Sequence, residues 1–339
     1  MRLLMISTDK KIFDQNSDVA RRQIEYAKMN NIEEMHIVVF RKKRGGKGNV
    51  GDIEGDEIFI APNVWVYSTR SASKFLYPLD AIKLGRFIIE RRGITHITTE
   101  DSSLTAMAGI SLKKQYNVHL EINIHADIGA KNFTYSLENK VRKSMALSYL
   151  PKADSIRVVS NRIKDYLVDT LQIDYGKITV RPISVDMDII RNAPITADLH
   201  KKYPQFDKIV LMASRLEREK NIELVLRAWS DVLKNLPKAG LVIVGEGKEK
   251  SKLQHLAKKI GDSVVFESWA GRDTLFSYYK TTDIFLVTSL YEGYGMTLAE
   301  TFAAGCRIVS TDIGIAREIG ATIADWTADD LAIKISGAL

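Results

Sequence analysis

Arg215 and Lys220 stand in the run Ser214-Arg215-Leu216-Glu217-Arg218-Glu219-Lys220-Asn221, between an apolar stretch and a helical one. Two fixed cations beside a helix N-terminus can hold a diphosphate, because the helix end itself favours negative charge. Arginine offers a planar fork and lysine a point charge. The competing reading is a solvated loop in which Glu217 and Glu219 neutralise both cations. Gly245-Glu246-Gly247 reads as a strand-to-helix turn that also permits close backbone approach to a ligand. The run Tyr291-Glu292-Gly293-Tyr294-Gly295-Met296-Thr297-Leu298-Ala299-Glu300 opens another helix. There Gly293 and Gly295 let backbone N–H groups reach an anion. Glu292 and Glu300 can accept hydrogen bonds from two parts of a polyhydroxyl ligand. Thr297-Leu298-Ala299-Glu300 equally spells a capping box, in which Glu300 only caps the helix. Ser310-Thr311-Asp312-Ile313-Gly314 is a further turn, expected to close one wall of the same crevice.

These turns need strands that end at them. Apolar runs predict strands at 3–6, 36–40, 64–67, 96–99, 118–122, 155–159 and 177–181. A second series follows at 209–213, 241–244, 264–266, 284–287 and 307–310. Helical patterns near 19–29, 79–91, 103–115, 137–150 and 161–171 separate the first set. Patterns near 222–234, 248–259, 273–280 and 297–303 separate the second. Such alternation predicts an α/β chain of two doubly wound, Rossmann-like domains facing a cleft, each a parallel sheet with helices on both faces. The expected domains are 1–185 and 186–339, with the break near 182–199. Ligands of such sheets bind beyond the carboxyl ends of the strands.

The chain has 339 residues, which fits two domains. No run approaches the roughly 18 apolar residues of a membrane helix, and the N-terminus turns polar too soon for a signal-peptide core. A single cysteine, Cys306, excludes an internal disulfide and a multi-cysteine metal site, so a reducing cytoplasm is expected. Cys306 itself reads as inert core. The net charge is +7. Residues 1–200 carry 30 Lys+Arg against 24 Asp+Glu, which is +6, and 201–339 carry 19 against 18. The excess includes a basic, glycine-rich loop at 41–48. It suits an anionic partner, such as a membrane surface or a phosphorylated acceptor, although +6 over 200 residues is also ordinary. Nucleic acid is not expected, because the basic residues are not interleaved with aromatics.

Together these features resemble the retaining glycosyltransferases of family 4, which have the GT-B architecture. The resemblance rests on Glu292 and Glu300, with seven residues between them in EGYGMTLAE, and on Arg215 and Lys220 in SRLEREKN. It also rests on Gly-Glu-Gly at 245–247 and GRDTLFSYYKTTDIFLVTS at 271–289. It implies a donor that is a UDP-, GDP- or ADP-sugar, with no cofactor and no metal. By similarity, Arg215 and Lys220 would neutralise the diphosphate, with Gly245 and the backbone of Gly293, Tyr294, Gly295, Met296 and Thr297 nearby. Glu300 would accept from the ribose and Glu292 from the donor sugar, while Gly271 and Arg272 would lie near the base. The resemblance makes the first half the acceptor domain, with His125 near the donor sugar and Asp127, Asp9 and Ser17 as acceptor candidates.

There are departures. The glycine pair that many members carry after the first strand is replaced by Ser7-Thr8-Asp9-Lys10-Lys11-Ile12-Phe13-Asp14-Gln15-Asn16-Ser17, where Asp14 and Ser17 equally suit helix caps. That also rules out a dinucleotide fingerprint. Related chains continue beyond the short helix at 329–338, so a C-terminally truncated chain is expected. Asp186-Met187-Asp188 spells a metal motif but falls between the domains and reads as structural. The implied acceptor is a glycan or lipid-linked saccharide. The helix with Lys140, Arg142 and Lys143 suggests peripheral contact with an anionic inner membrane face, although its apolar side (Leu137, Val141, Met145) is expected to pack on its own domain. The rival functions are another nucleotide-sugar enzyme of this architecture, such as an epimerase, and a non-catalytic nucleotide- or glycan-binding module.

Overall fold

The computed structural model describes residues 1–42 and 57–339. The expected basic loop at 41–48 lies outside the described residues from residue 43 onward. By its internal contacts the chain divides into two units. The first holds residues 1–125 and 134–181, and the second holds 126–133 and 182–339.

The first unit is an eight-stranded sheet. Its strands are β1 (Arg2–Ser7), β2 (Glu34–Val39), β3 (Glu57–Ala61), β4 (Val64–Ser68), β5 (His96–Thr99), β6 (His119–Ile124), β7 (Ser155–Val158) and β8 (Ile178–Val180). Its helices are α1 (Asp18–Met29), α2 (Tyr77–Arg92), α3 (Leu104–Lys113), α4 (Leu137–Tyr149) and α5 (Asn161–Asp165). The strand order is β3-β4-β2-β1-β5-β6-β7-β8. Every pairing is parallel except β3 with β4, an antiparallel edge hairpin that the apolar pattern missed.

Right-handed crossovers put α1 on one face and the helices between β4 and β8 on the other. Val19 and Ala27 of α1 share a core with Leu3 and Met5 of β1. Gly109 of α3 instead sits so close to the sheet that a Cβ there would lie 2.7 Å from Thr99 Cγ2 and 2.9 Å from Leu120 Cδ1. The expectation of apolar strands covered on both faces fails for β5–β8. Ile97, Leu120, Ile122 and Ile156 face α3, but Thr98, Glu121, Asn123 and Arg157 alternate with them onto the α1 face. A second correction concerns α4, whose apolar side does not pack as expected: Leu137 and Val141 are exposed.

The second unit has strands β9 (Lys208–Ala213), β10 (Ala239–Val244), β11 (Val264–Glu267), β12 (Ile284–Val287), β13 (Ile308–Thr311) and β14 (Thr322–Ala324). Its helices are α6 (Met187–Asn192), α7 (Leu199–Lys202), α8 (Ile222–Asn235), α9 (Lys250–Ala257), α10 (Arg272–Thr281), α11 (Met296–Ala303) and α12 (Ala328–Ala338). All pairs are parallel, in the order β11-β10-β9-β12-β13-β14. One face buries Trp229 of α8 with α9 and α12, and the other buries Phe285 with α10 and α11. The expected linker at 182–199 holds α6, capped by Asp186, whose Oδ1 accepts from Ile189 N at 3.0 Å.

Candidate active site

In the second unit β9 lies between β10 and β12. The chain leaves β9 towards β10 and later enters β12 on the other side, so the loops after β9 and β12 part at a topological switch point. Arg215 and Lys220 stand on the first loop and Glu292 on the second.

The Gly-Glu-Gly turn holds the first loop. Leu216 N–H donates to Glu246 O at 2.8 Å, and Glu249 N–H donates to Leu216 O at 2.9 Å. A Cβ on Gly245 would lie 1.9 Å from Ser214 O, and one on Gly247 would lie 2.3 Å from Leu216 O. The two glycines let one loop backbone press on another. The far end of the loop is tied to β12: Thr288 Oγ1 donates to Lys220 O at 2.9 Å, and Leu290 N–H to Glu219 O at 2.8 Å.

The side chains are paired in a way that the sequence reading foresaw only in part. Arg215 is 65% exposed and meets Glu219 at 3.1 Å. Lys220, 17% exposed, pairs not with Glu217 or Glu219 but with Glu292 across the switch point. Glu292 Oε1 also accepts from Ser289 Oγ at 2.9 Å.

The capping box does not form. Gly295 is the residue before α11, with φ +88°, and no side chain caps that helix start. Thr297 is already inside the helix, and its carbonyl accepts from Thr301 Oγ1 at 2.7 Å. Glu300 is therefore free of the cap and accepts from the Tyr279 hydroxyl at 3.2 Å. Burial raises its carboxyl pKa, against the Tyr279 hydrogen bond and the nearby charge of Arg272. Gly271 caps α10, and Arg272, exposed at its start, lies over the Phe276 ring at 5.5 Å.

The fourth turn joins the same crevice. Ile315 N–H donates to Tyr294 O at 3.0 Å, and Thr311 Oγ1 donates to Ser289 O at 2.8 Å. Gly314, at φ +49°, leaves room for Tyr294 O, 2.3 Å from where a Cβ would stand. Gly293 is buried in the loop between, and Met296, the first residue of α11, is exposed. Asp127 is buried in the 126–133 segment, where its Oδ1 accepts from Gly129 N–H at 3.0 Å. Phe133 of that segment meets the Tyr291 ring edge-on at 4.9 Å.

His125 directly follows β6 in the first unit. Its ring meets solvent, yet the protein crowded around it, then the Arg157 guanidinium, push its pKa down to about 4. Asp9 and Ser17 serve as caps: Asp9 Oδ1 accepts from Lys11 N–H at 3.0 Å, and Ser17 Oγ accepts from Ala20 N–H at 3.1 Å. The first unit has its own switch point, between β1 and β5. Glu100, which the sequence reading passed over, fills it, accepting from Ser7 Oγ at 2.6 Å and Thr8 N–H at 2.7 Å. Tyr279, Ser289 and Thr288 were also missed as supports. Their mark was a polar side chain at a strand end or inside a core helix. Cys306 is half-buried, with burial pushing its thiol up to about 12.

Residues 197–322 match the family model described as glycosyl transferases group 1. An uncharacterized glycosyltransferase of Methanocaldococcus jannaschii is 28% identical over 247 residues, 70% of this chain and 62% of that protein. An N-acetylgalactosamine-N,N'-diacetylbacillosaminyl-diphospho-undecaprenol 4-alpha-N-acetylgalactosaminyltransferase of Campylobacter jejuni is 30% identical, covering 54% of this chain and 47% of its own. The chain thus spans less than two thirds of either relative. Among solved structures, HepE of Anabaena in complex with UDP superposes with a TM-score of 0.69 at 17% identity, over 99% of this chain and 89% of that one. The fold is GT-B, the named relatives are glycosyltransferases, and residues 197–322 are what this chain shares with the glycosyl transferases group 1 model.

Proposed function

We propose that the protein transfers a sugar from a nucleotide-diphosphate sugar to a hydroxyl acceptor, with retention and without a metal ion, in the manner of family 4. The observation that carries this reading is the meeting of Arg215, Lys220, Glu292 and the uncapped start of α11 at one switch point. Charge builds on the diphosphate as the bond from the anomeric carbon breaks. Lysine, arginine and the helix N–H groups stabilise that charge most in the transition state. The acceptor oxygen then bonds to the anomeric carbon from the face the diphosphate leaves, and its proton passes to a diphosphate oxygen. Glu300 accepts from the ribose and Glu292 from the donor sugar. On the first unit, the imidazole of His125 is neutral at pH 7 and suited to a hydroxyl. UDP in the HepE structure favours a UDP-sugar as donor.

The acceptor is a lipid-linked saccharide at an anionic membrane surface. The Campylobacter relative's name specifies an undecaprenol-linked substrate. In this chain α4 exposes Leu137, Val141 and Leu147 beside Lys140 and Arg142, an amphipathic surface for anionic lipid. Among the described residues no helix is long and apolar enough to cross a membrane.

The test is a thermal shift with UDP, GDP, ADP and their sugar conjugates, with EDTA present. A ligand at about 100 times its Kd stabilises the fold by about 2.7 kcal/mol. One selective nucleotide stabilising the wild type but not Lys220→Ala supports the reading. No shift with any of them overturns it. The anomeric configuration of the product then tests retention.

A further inference from the structure

The α1 face of β5–β8 is polar, although parallel sheets normally bury both faces under apolar side chains. Its centre is Arg157 on β7, in register with Asn123 on β6. Asn123 is 4% exposed. Its amide donates to Thr98 Oγ1 at 3.0 Å, but its Oδ1 has no partner. Arg157 Nε is buried and likewise without a partner. A buried guanidinium N–H without an acceptor, beside a buried carbonyl oxygen without a donor, is costly and uncommon. Together they ask for a group that accepts at one point and donates at the next.

The surrounding charge specifies that group. Arg22 and Tyr26 stand four residues apart on α1, hence on one side of the helix. Arg157 and Arg22 both act on the His125 ring, and Arg157 and Arg181 both act on the Tyr26 phenol. The three arginines thus act on His125 or Tyr26, on the same face of the sheet as Arg157. Two carboxylates share the area: Glu121, which accepts from Thr98 Oγ1 at 3.3 Å, and Asp101, which also acts on the His125 ring. Three cations outnumber these two carboxylates, which suits an oxyanion, and the guanidinium fork suits phosphate.

We propose that Arg157, with Arg22 and Arg181, forms a binding site for a phosphoryl group whose bearer places a hydroxyl on Asn123 Oδ1, as a polyol or sugar phosphate does. That this ligand is the acceptor rests on the transfer reading above; the binding itself does not.

The experiment is a titration with inorganic phosphate and with glycerol 3-phosphate at constant ionic strength. It is read at the arginine Nε–H resonances of the ¹⁵N-labelled protein, with the Arg157 signal assigned from Arg157→Lys. Wild type and Lys220→Ala are compared, so that binding at the donor loop is told apart. The expected result is a saturable shift of the Arg157 signal in both proteins, tighter with glycerol 3-phosphate, and at least about tenfold weaker in Arg181→Gln. Arg181 is exposed at the end of β8, so that variant does not endanger folding. No shift of Arg157, or a phosphate response that vanishes in Lys220→Ala and persists in Arg181→Gln, overturns the proposal. Co-flotation with phosphatidylglycerol vesicles that depends on Arg157 would make the bearer a lipid headgroup; a response to the soluble phosphates alone would make it a free one. UDP stabilisation in the same samples reports on the donor reading separately.

Discussion

Lys220 and Glu292 form an ion pair across the switch point of the second sheet, joining the loop after β9 to the loop after β12. A diphosphate must draw Lys220 away from that carboxylate or share it. Glu292→Gln should therefore bind free nucleotide diphosphate more tightly than the wild type. Its turnover should fall by about 100-fold or more, because the donor sugar loses its acceptor. Lys220→Ala should weaken the nucleotide roughly 10- to 100-fold, as expected when a charge-assisted hydrogen bond worth about 1.5–3 kcal/mol is lost. Calorimetric titration of both variants checks the opposite signs.

The glycines of the second unit divide into two kinds. In Gly247→Ala the new methyl meets Leu216 backbone at 2.3 Å, and backbone cannot step aside. A loss of about 1–3 kcal/mol is expected, with weaker nucleotide binding as the Arg215 loop shifts. In Gly271→Ala nothing lies within 4 Å, so stability should change by less than about 0.5 kcal/mol. Equal effects in urea denaturation would contradict this account of the turn.

His125 makes stability depend on acid. Its pKa falls from 6.5 to about 4 in the folded protein. Between those values the unfolded chain holds a proton that the folded one does not, so stability drops as pH falls from about 6.5 towards 4. His125→Gln should flatten that limb of the Tm–pH curve and leave the Tm above pH 7 near its original value.

Leu137→Glu combined with Val141→Glu alters two exposed side chains of α4. The Tm should stay where it is. Flotation with anionic liposomes at low salt should fall several-fold, and added salt should abolish what remains.

The strands that lead into the Arg215 and Glu292 loops were legible because each is a short, continuous apolar run, as in Ile284-Phe285-Leu286-Val287. β3 was not: Glu57–Ala61 is half-buried and lies on an edge, where periodicity is weak. The charged residues of the candidate site were picked out by type and spacing, but their partners could not be. Lys220 and Glu292 are far apart in sequence, and only the topology of β9 and β12 makes them neighbours. The capping box misled for a local reason. Gly295 in its left-handed turn starts the helix two residues before Thr297.

The second unit is not one stretch of chain. The polypeptide finishes β6, lends residues 126–133 to the other unit, and returns to build α4 before it leaves for good at Pro182. During synthesis that borrowed piece emerges well before the sheet it belongs to, and must wait for it. A fragment cut at 182 would fold, if at all, without Phe133, the ring that meets Tyr291 one residue before Glu292. Modular exchange of the two halves between related chains would have to carry this short segment with the second half, although it is encoded in the first.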